Sequence, residues 1–216
     1  MGTGLICDEN GKKFSTSKGG NVKLNDLLDE ARDRAIIQLK ERYESDDYKG
    51  TKIEESEIER VGEIMGIAAV RYYDMRQKRE QNYNFTYDNM LAPKGDTAIY
   101  LLYSYARLCS VVRKSGLSKD DLKDFSKFKI SHEAESTLLS HIAKFTYMIE
   151  ATTKELSLNK LCDYTYQLAS IISTCYSKYK ILDNEDSHSR VMVIEMVRIT
   201  METCLHLLGI TPLEKI

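Results

Sequence analysis

A segment near the start of the chain carries side chains suited to binding phosphate. It reads Lys-Phe-Ser-Thr-Ser from Lys13 to Ser17 and continues with Lys18 and a pair of glycines. The hydroxyls of Ser15 and Ser17 can bond phosphate oxygens, and the lysines can balance the charge of a leaving pyrophosphate. Because glycines also allow a mobile turn, the pattern predicts nucleotide chemistry at residues 13–18.

A second group of candidate residues lies on one face of a helix predicted over residues 98–115. At about 100° per residue, Tyr100, Tyr103, Arg107 and Lys114 gather opposite the apolar face. Tyrosine rings can stack on unpaired bases, at about 1–3 kcal/mol per base, and cations can bind phosphates. The simpler interpretation is a tyrosine pair packed under the preceding loop. The residues alone favour that interpretation narrowly, and both stay open.

Composition limits the function classes. The 216 residues have a net charge of −2 and a pI near 6.1, so any RNA must bind to a local basic face. No apolar run approaches the roughly 18 residues of a membrane helix, so a membrane is not an expected partner. Because the chain has no overall positive charge, DNA is not an expected partner either. The five cysteines are widely spaced, which predicts reduced core residues in a cytoplasmic protein, and no spacing indicates a metal site.

The elements that would position these candidates are mainly helices. The chain has only two prolines and few glycines, and its apolar periodicity predicts an all-α fold. Predicted helices cover about 25–43, 58–79, 98–115, 132–153, 156–179 and 188–208.

Local signals refine this assignment. Ser56 and Glu59 form a capping-box pattern before the second helix. Gly62 and Gly66, one turn apart in that helix, would let another helix approach closely. Alternating Tyr83, Phe85 and Tyr87 predict an extended stretch within residues 82–97, and Ala92-Pro93-Lys94-Gly95-Asp96-Thr97 predicts a compact loop.

The chain resembles the arginyl-tRNA synthetases over nearly its whole length. Lys13–Ser17 is similar to the Lys-Met-Ser-Lys-Ser loop of class I aminoacyl-tRNA synthetases. Five blocks carry the family resemblance in order: Gly4-Leu5 with the loop and Val22–Ala31; Val70-Arg71-Tyr72; Asn82–Leu91; Gly95–Arg107; and Leu161–Tyr164 with Leu207–Leu213.

The resemblance implies a carboxy-terminal part of such an enzyme. Residues 1–21 would be a remnant of the catalytic domain, 22–81 connecting helices, and 82–216 an all-helical anticodon-binding domain. In the family, the whole enzyme uses ATP and Mg²⁺ to attach arginine to tRNA-Arg. We expect the isolated chain to be inactive, to bind no cofactor, and to have an upstream catalytic domain of the same polypeptide as partner. Apolar surface facing that domain could also cause self-association.

The resemblance also implies site residues. Lys13, Ser15, Ser17 and Lys18 would be catalytic in the full-length enzyme, and the RNA contacts would be Ala92, Lys94, Gly95, Tyr100, Tyr103, Arg107 and Ile216. It therefore favours the RNA-contact interpretation of the stripe. Two departures are visible: the second lysine of the signature loop is replaced by Thr16, and the terminal residue is Ile216 where the family more often has methionine. The alternative function is a stand-alone helical module that binds RNA or protein.

Overall fold

The computed structural model describes residues 2–8, 11, 13, 23–46, 48, 50 and 52–216, with only the backbone of residue 127. Helices dominate this part of the chain, as the sequence predicts. They are α1 (Leu24–Glu44), α2 (Ile58–Met75), α3 (Tyr87–Met90), α4 (Ala98–Ser115), α5 (Glu133–Ala143), α6 (Phe145–Glu155), α7 (Leu158–Lys178) and α8 (Ser187–Leu207). Short 3₁₀ turns cover Glu55–Glu57, Asp121–Lys123 and Phe125–Lys127.

Helices α1 and α2 pack closely because α2 carries glycines at their contact. A Cβ on Gly66 would lie 2.6 Å from the backbone nitrogen of Arg32, and one on Gly62 would lie 2.2 Å from Cγ1 of Ile36. Neither contact leaves room for a methyl group. The predicted close approach at these two positions is confirmed, and it fixes where α1 runs relative to the rest of the molecule.

We expect Gly66→Ala to lower the free energy of unfolding by about 1–3 kcal/mol, because the methyl group would push against backbone atoms of α1. Alanine normally stabilises a helix relative to glycine by about 1 kcal/mol, so the expected sign is opposite to that of helix propensity. Urea unfolding measures the change. Glu63→Ala, at an exposed position of the same helix, is the control and should change little. A more stable Gly66→Ala protein would contradict the close contact.

The remaining long helices form the main bundle. Helix α4 lies against α8, and α7 packs beside both. Helix α5 packs against α7 and α8, and α6 packs against α7. Leu101, Leu102, Leu108 and Val197 are fully buried between these helices. The Arg198 guanidinium of α8 also donates to the Tyr105 hydroxyl of α4 at 3.2 Å. One face of α4 is therefore buried in the core.

The amino-terminal residues that the structure describes join a small parallel sheet. Strand β1 (Ile6–Cys7) pairs with β2 (Tyr83–Asn84), and the Gly4 amide donates to the Arg79 carbonyl at 2.7 Å. The extended stretch predicted within 82–97 is therefore confirmed at β2. It is wrong at Tyr87, which begins α3 after the Thr86 side chain caps that helix.

Two other local predictions are wrong. Ser56 lies inside a 3₁₀ turn, and α2 begins after Glu57 without a side-chain cap, so no capping box forms there. The helix predicted over 132–153 is divided at Lys144. The Tyr164 hydroxyl of α7 donates at 3.1 Å to the His141 carbonyl, which would accept from residue 145 in an unbroken α-helix.

All five cysteines are buried and unpaired, as predicted. Within the described ranges, no helix is both long and apolar enough to cross a membrane. In the same ranges, no group of His, Cys, Asp or Glu side chains is arranged to hold a metal ion.

Candidate RNA-binding cleft

The loop over residues 92–97 is held by its own hydrogen bonds and by α2. The Thr97 hydroxyl donates to the Ala92 carbonyl at 2.7 Å and accepts from the Tyr100 amide at 3.2 Å, so Thr97 closes the loop and caps α4. Gly95 has φ +87°, a left-handed conformation that other residues rarely adopt. The loop therefore enters α4 in one defined geometry.

Residues of α2 anchor this loop through Asp96. The Tyr72 hydroxyl donates to the Asp96 carboxylate at 2.5 Å, and Arg76 donates to the Asp96 carbonyl. Tyr72 is fully buried, and burial together with the nearby Asp96 carboxylate raises its pKa far above the ordinary value. Its hydroxyl therefore stays protonated and remains a donor.

Two tyrosines of α4 face the outer side of the helix, as the periodicity predicts. The Tyr100 ring meets the Tyr166 ring edge-on at 5.8 Å, and its hydroxyl donates to the Ala169 carbonyl at 3.4 Å. The Tyr103 ring is half-buried, with the Arg42 guanidinium carbon 3.7 Å from its centroid. Burial raises the pKa of Tyr103, and the neighbouring Arg42 opposes that shift. Both tyrosines thus contact protein and still line an open cleft.

Arg107 lies one turn further along the same face and is exposed. Its guanidinium carbon lies 3.7 Å from the centroid of Tyr176, on α7. The Tyr176 hydroxyl is buried, and no hydrogen-bond partner for it lies among the described residues. Burial raises the pKa of this phenol, so the group remains a neutral donor.

These side chains line one cleft of about 610 Å³ between the end of α1, the outer face of α4, α7 and the last residues of the chain. Its basic lining residues are Arg42, Arg107, Arg113, Lys114 and Lys215, and the acidic side chain in the lining is Glu214. The chain as a whole has a net charge of −2, so this cleft is a local basic face on a slightly acidic protein. Such a surface attracts polyanions without a global positive field.

The end of the chain forms one wall of the cleft. Ile216 is buried, and its carbonyl accepts from the Tyr48 hydroxyl at 3.3 Å. Tyr48 in turn contacts the Tyr43 ring at 5.1 Å. The last residue is therefore tied to the segment that follows α1.

The structure brings together part of the predicted site. Tyr100, Tyr103, Arg107 and Ile216 line the cleft, with Lys114 further along the same wall. Pro93 also lines it, whereas its loop neighbours Ala92, Lys94 and Gly95 lie beside the cleft and outside its lining.

Of the signature loop, the structure describes only Lys13, which does not line this cleft. Lys13 is described only as an exposed residue in a bridge with Cys7. Ser15, Ser17 and Lys18 lie outside the described residues.

Sequence reasoning missed Arg42, Tyr48 and Tyr176. Tyr176 follows Tyr166, Ala169 and Ser173 on one face of α7, so a helical wheel of residues 158–178 could have found it. Arg42 has no such local signal, because only tertiary packing brings the last turn of α1 to Tyr103.

Comparison with known families defines the class of protein. Residues 101–216, more than half of the chain, match the family model of the DALR anticodon binding domain. Residues 1–87 match the model of the tRNA synthetases class I (R), catalytic domain. The helical bundle with its cleft is thus an anticodon-binding domain of the DALR class, preceded by a segment similar to a class I catalytic domain.

Individual relatives narrow the class. The chain is 38% identical to the cytoplasmic arginine–tRNA ligase of Arabidopsis thaliana over 100% of its own length, and 37% identical to arginine–tRNA ligase of a Nostoc strain over 98%. The crystal structure of arginyl-tRNA synthetase from Plasmodium falciparum superposes with a TM-score of 0.80 and 34% identity, covering 90% of this chain and 34% of that one. Arginyl-tRNA synthetase of Thermus thermophilus shares the fold, with a TM-score of 0.78 at 22% identity, covering 98% of this chain and 34% of that one.

The chain belongs to the class I arginyl-tRNA synthetase family and corresponds to the carboxy-terminal part of those enzymes. It spans about a third of the length of the curated relatives it matches, 36% of the Arabidopsis cytoplasmic enzyme and of the Nostoc enzyme.

Proposed function

We propose that this chain is the part of an arginine–tRNA ligase that recognises the anticodon arm of tRNA-Arg. The basic cleft carries the proposal, because it joins aromatic side chains that can stack on unpaired bases to cations that can bind phosphates. The match to the DALR anticodon binding domain and the arginine–tRNA ligase relatives support the same reading.

The RNA contacts in this proposal are Ala92, Lys94, Gly95, Tyr100, Tyr103, Arg107 and Ile216. Tyr100 and Tyr103 would stack on bases of the anticodon loop, and Arg107 would bind the backbone. Ile216 would meet a base by shape, because its apolar side chain offers no hydrogen bond. The loop at residues 92–97 would close one end of the site, where Asp96, held by Tyr72 and Arg76, fixes its position.

The proposal divides the chain at two points. Residues 1–21 would belong to the catalytic domain, 22–81 would connect, and 82–216 would bind the anticodon. ATP with Mg²⁺ would supply the energy for arginine activation in the whole enzyme. Lys13, Ser15, Ser17 and Lys18 would take part in that activation in the whole enzyme, and of these the structure describes Lys13.

The proposal also covers compartment and assembly. One Arabidopsis relative is named cytoplasmic and another chloroplastic/mitochondrial, and we place this protein with the former. Leu24 and Ile37 are 67% and 55% exposed on α1, and contacts between exposed apolar side chains of this kind are one route by which the chain would self-associate. Sedimentation at the concentrations used for RNA titration measures this.

Binding of the anticodon stem-loop of tRNA-Arg tests the function. We expect the chain to bind this RNA with an affinity that falls as salt rises, and to prefer it over a stem-loop with a changed anticodon. Fluorescence anisotropy over a salt series measures both effects. The chain should form no arginyl-tRNA by itself, since its similarity to the catalytic-domain model is confined to residues 1–87. Equal affinity for both stem-loops would overturn anticodon recognition.

A further inference from the structure

Arg42 occupies a position in the cleft that the function proposed above does not use. It lies in the last turn of α1, well before the part of the chain that matches the anticodon-binding family model. Its guanidinium carbon is 3.7 Å from the Tyr103 ring centroid and 5.6 Å from that of Tyr48. The guanidinium therefore covers the face of Tyr103 on which a base would stack.

Among the described residues, no carboxylate pairs with the charge of Arg42. Two other arginines of α1 have such partners: Arg32 lies 2.9 Å from Asp29, and Arg34 lies 2.6 Å from Glu30. In the described part of the chain, no acidic side chain lies within ion-pair distance of Arg42. Arg42 contacts the rings of Tyr48 and Tyr103 and the Tyr103 hydroxyl. Because a guanidinium carries five N–H donors and Arg42 is exposed, its other donors remain available to a ligand.

When RNA enters the cleft, Arg42 gains binding energy by exchanging the Tyr103 ring for a phosphate. A cation over an aromatic ring at an exposed site is worth about 0.5–1 kcal/mol, whereas hydrogen bonds to charged groups are worth about 1.5–3 kcal/mol. A guanidinium also matches phosphate oxygens in bidentate geometry. Moving Arg42 from the ring to a phosphate therefore gains binding energy and uncovers Tyr103 for a base.

The backbone of Arg42 need not move for this exchange. The tight contact of α1 with Gly62 and Gly66 holds the helix, and Tyr43 beside it is buried. The flexible arginine side chain can then turn from the ring to a phosphate while its origin stays fixed at the rim of the cleft.

We propose that Arg42 is a further RNA-contact residue of this cleft, which leaves the Tyr103 ring and binds a backbone phosphate next to the base that stacks there. This inference rests on the proposed function and deepens it. With Arg42 as an RNA contact, helix α1 of the connecting segment forms one wall of the anticodon site. The phosphate bound by Arg42 then fixes the position of the nucleotide that stacks on Tyr103.

Arg42→Ala should weaken binding of the tRNA-Arg anticodon stem-loop roughly tenfold, the equivalent of one charge-assisted contact. The slope of log affinity against log salt should fall by about 0.7, the value for one phosphate contact in a single strand. Arg42→Lys should retain the slope and recover part of the affinity. Arg34→Ala is the matched control, because Arg34 also lies on α1 over a tyrosine ring, that of Tyr87 at 4.7 Å, yet outside the cleft.

A second measurement separates phosphate binding from stacking. With 2-aminopurine in place of the stacked base, Arg42→Ala at saturating RNA should keep the fluorescence quenching, and Tyr103→Ala should lose it. Thermal unfolding of each variant identifies any loss of fold.

The outcomes distinguish this inference from the function on which it rests. Suppose that the unaltered chain binds the stem-loop, and that Arg42→Ala binds it as tightly or more tightly with the same salt slope. Arg42 then only covers the Tyr103 ring in the RNA-free protein, and the inference is overturned. If the unaltered chain binds no stem-loop, the proposed function fails, and this inference fails with it.

Discussion

Replacing Tyr103 and Arg107 together by alanine is expected to weaken binding of tRNA-Arg by about 100-fold or more. Tyr103 would lose a base stack worth about 1–3 kcal/mol, and Arg107 would lose a phosphate contact. A combined loss near 3 kcal/mol corresponds to about two powers of ten in affinity. Titration of labelled tRNA-Arg over a salt series measures the affinity, and the salt dependence should weaken because Arg107 is absent.

Packing effects must be separated from contact effects in this experiment. Arg107 covers Tyr176 and Tyr103 is half-buried, so both substitutions also remove protein contacts. Circular dichroism establishes whether the double variant folds. Tyr147→Ala with Arg60→Ala is the matched control, since Tyr147 is 74% exposed and neither residue lines the cleft. A folded double variant that binds tRNA-Arg as well as the unaltered chain would favour a protein-interaction scaffold.

The bounds of α4 illustrate what local sequence can predict. The helix predicted over 98–115 is observed as Ala98–Ser115, because Thr97 caps its start and Gly116, at φ +69°, ends it. Both signals are carried by residues next to the helix. The apolar stripe then decides which face is buried, so the outward position of Tyr100 and Tyr103 follows from the same periodicity.

Features that depend on distant segments were not predictable in this way. The break at Lys144 depends on Tyr164, which comes from another helix and takes up a carbonyl of α5. Arg42 reaches Tyr103 only because α1 packs against α2 and its last turn then lies beside α4. The pair Gly62 and Gly66 predicts that another helix packs closely against α2. It does not identify that helix as α1, nor does it show that a side chain of α1 would line the cleft.

The scaffold behind the cleft includes a buried charged group on α5. Glu135 on α5 is 1% exposed, and its Oε1 accepts from Nε of Arg190 on α8 at 3.1 Å. Its Oε2 accepts from the Ser131 and His132 amides, at 2.8 and 3.2 Å. The carboxylate thus caps α5 and ties it to α8, and α8 in turn supports the buried face of α4, whose opposite face carries Tyr103.

We expect Glu135→Ala to lower the free energy of unfolding by about 3 kcal/mol or more. The substitution removes one partner of a buried ion pair and leaves two amides without their acceptor. Arg190 keeps Asp186 at 3.1 Å, which limits the loss, and Glu135→Gln should lose less because its amide oxygen can still accept. Urea unfolding measures these values. Glu133→Ala, exposed in the same first turn, should stay within about 0.5 kcal/mol. A Glu135→Ala protein as stable as this control would show that the other partners of Arg190, among them Asp186 and the Lys180 carbonyl, suffice without the buried carboxylate.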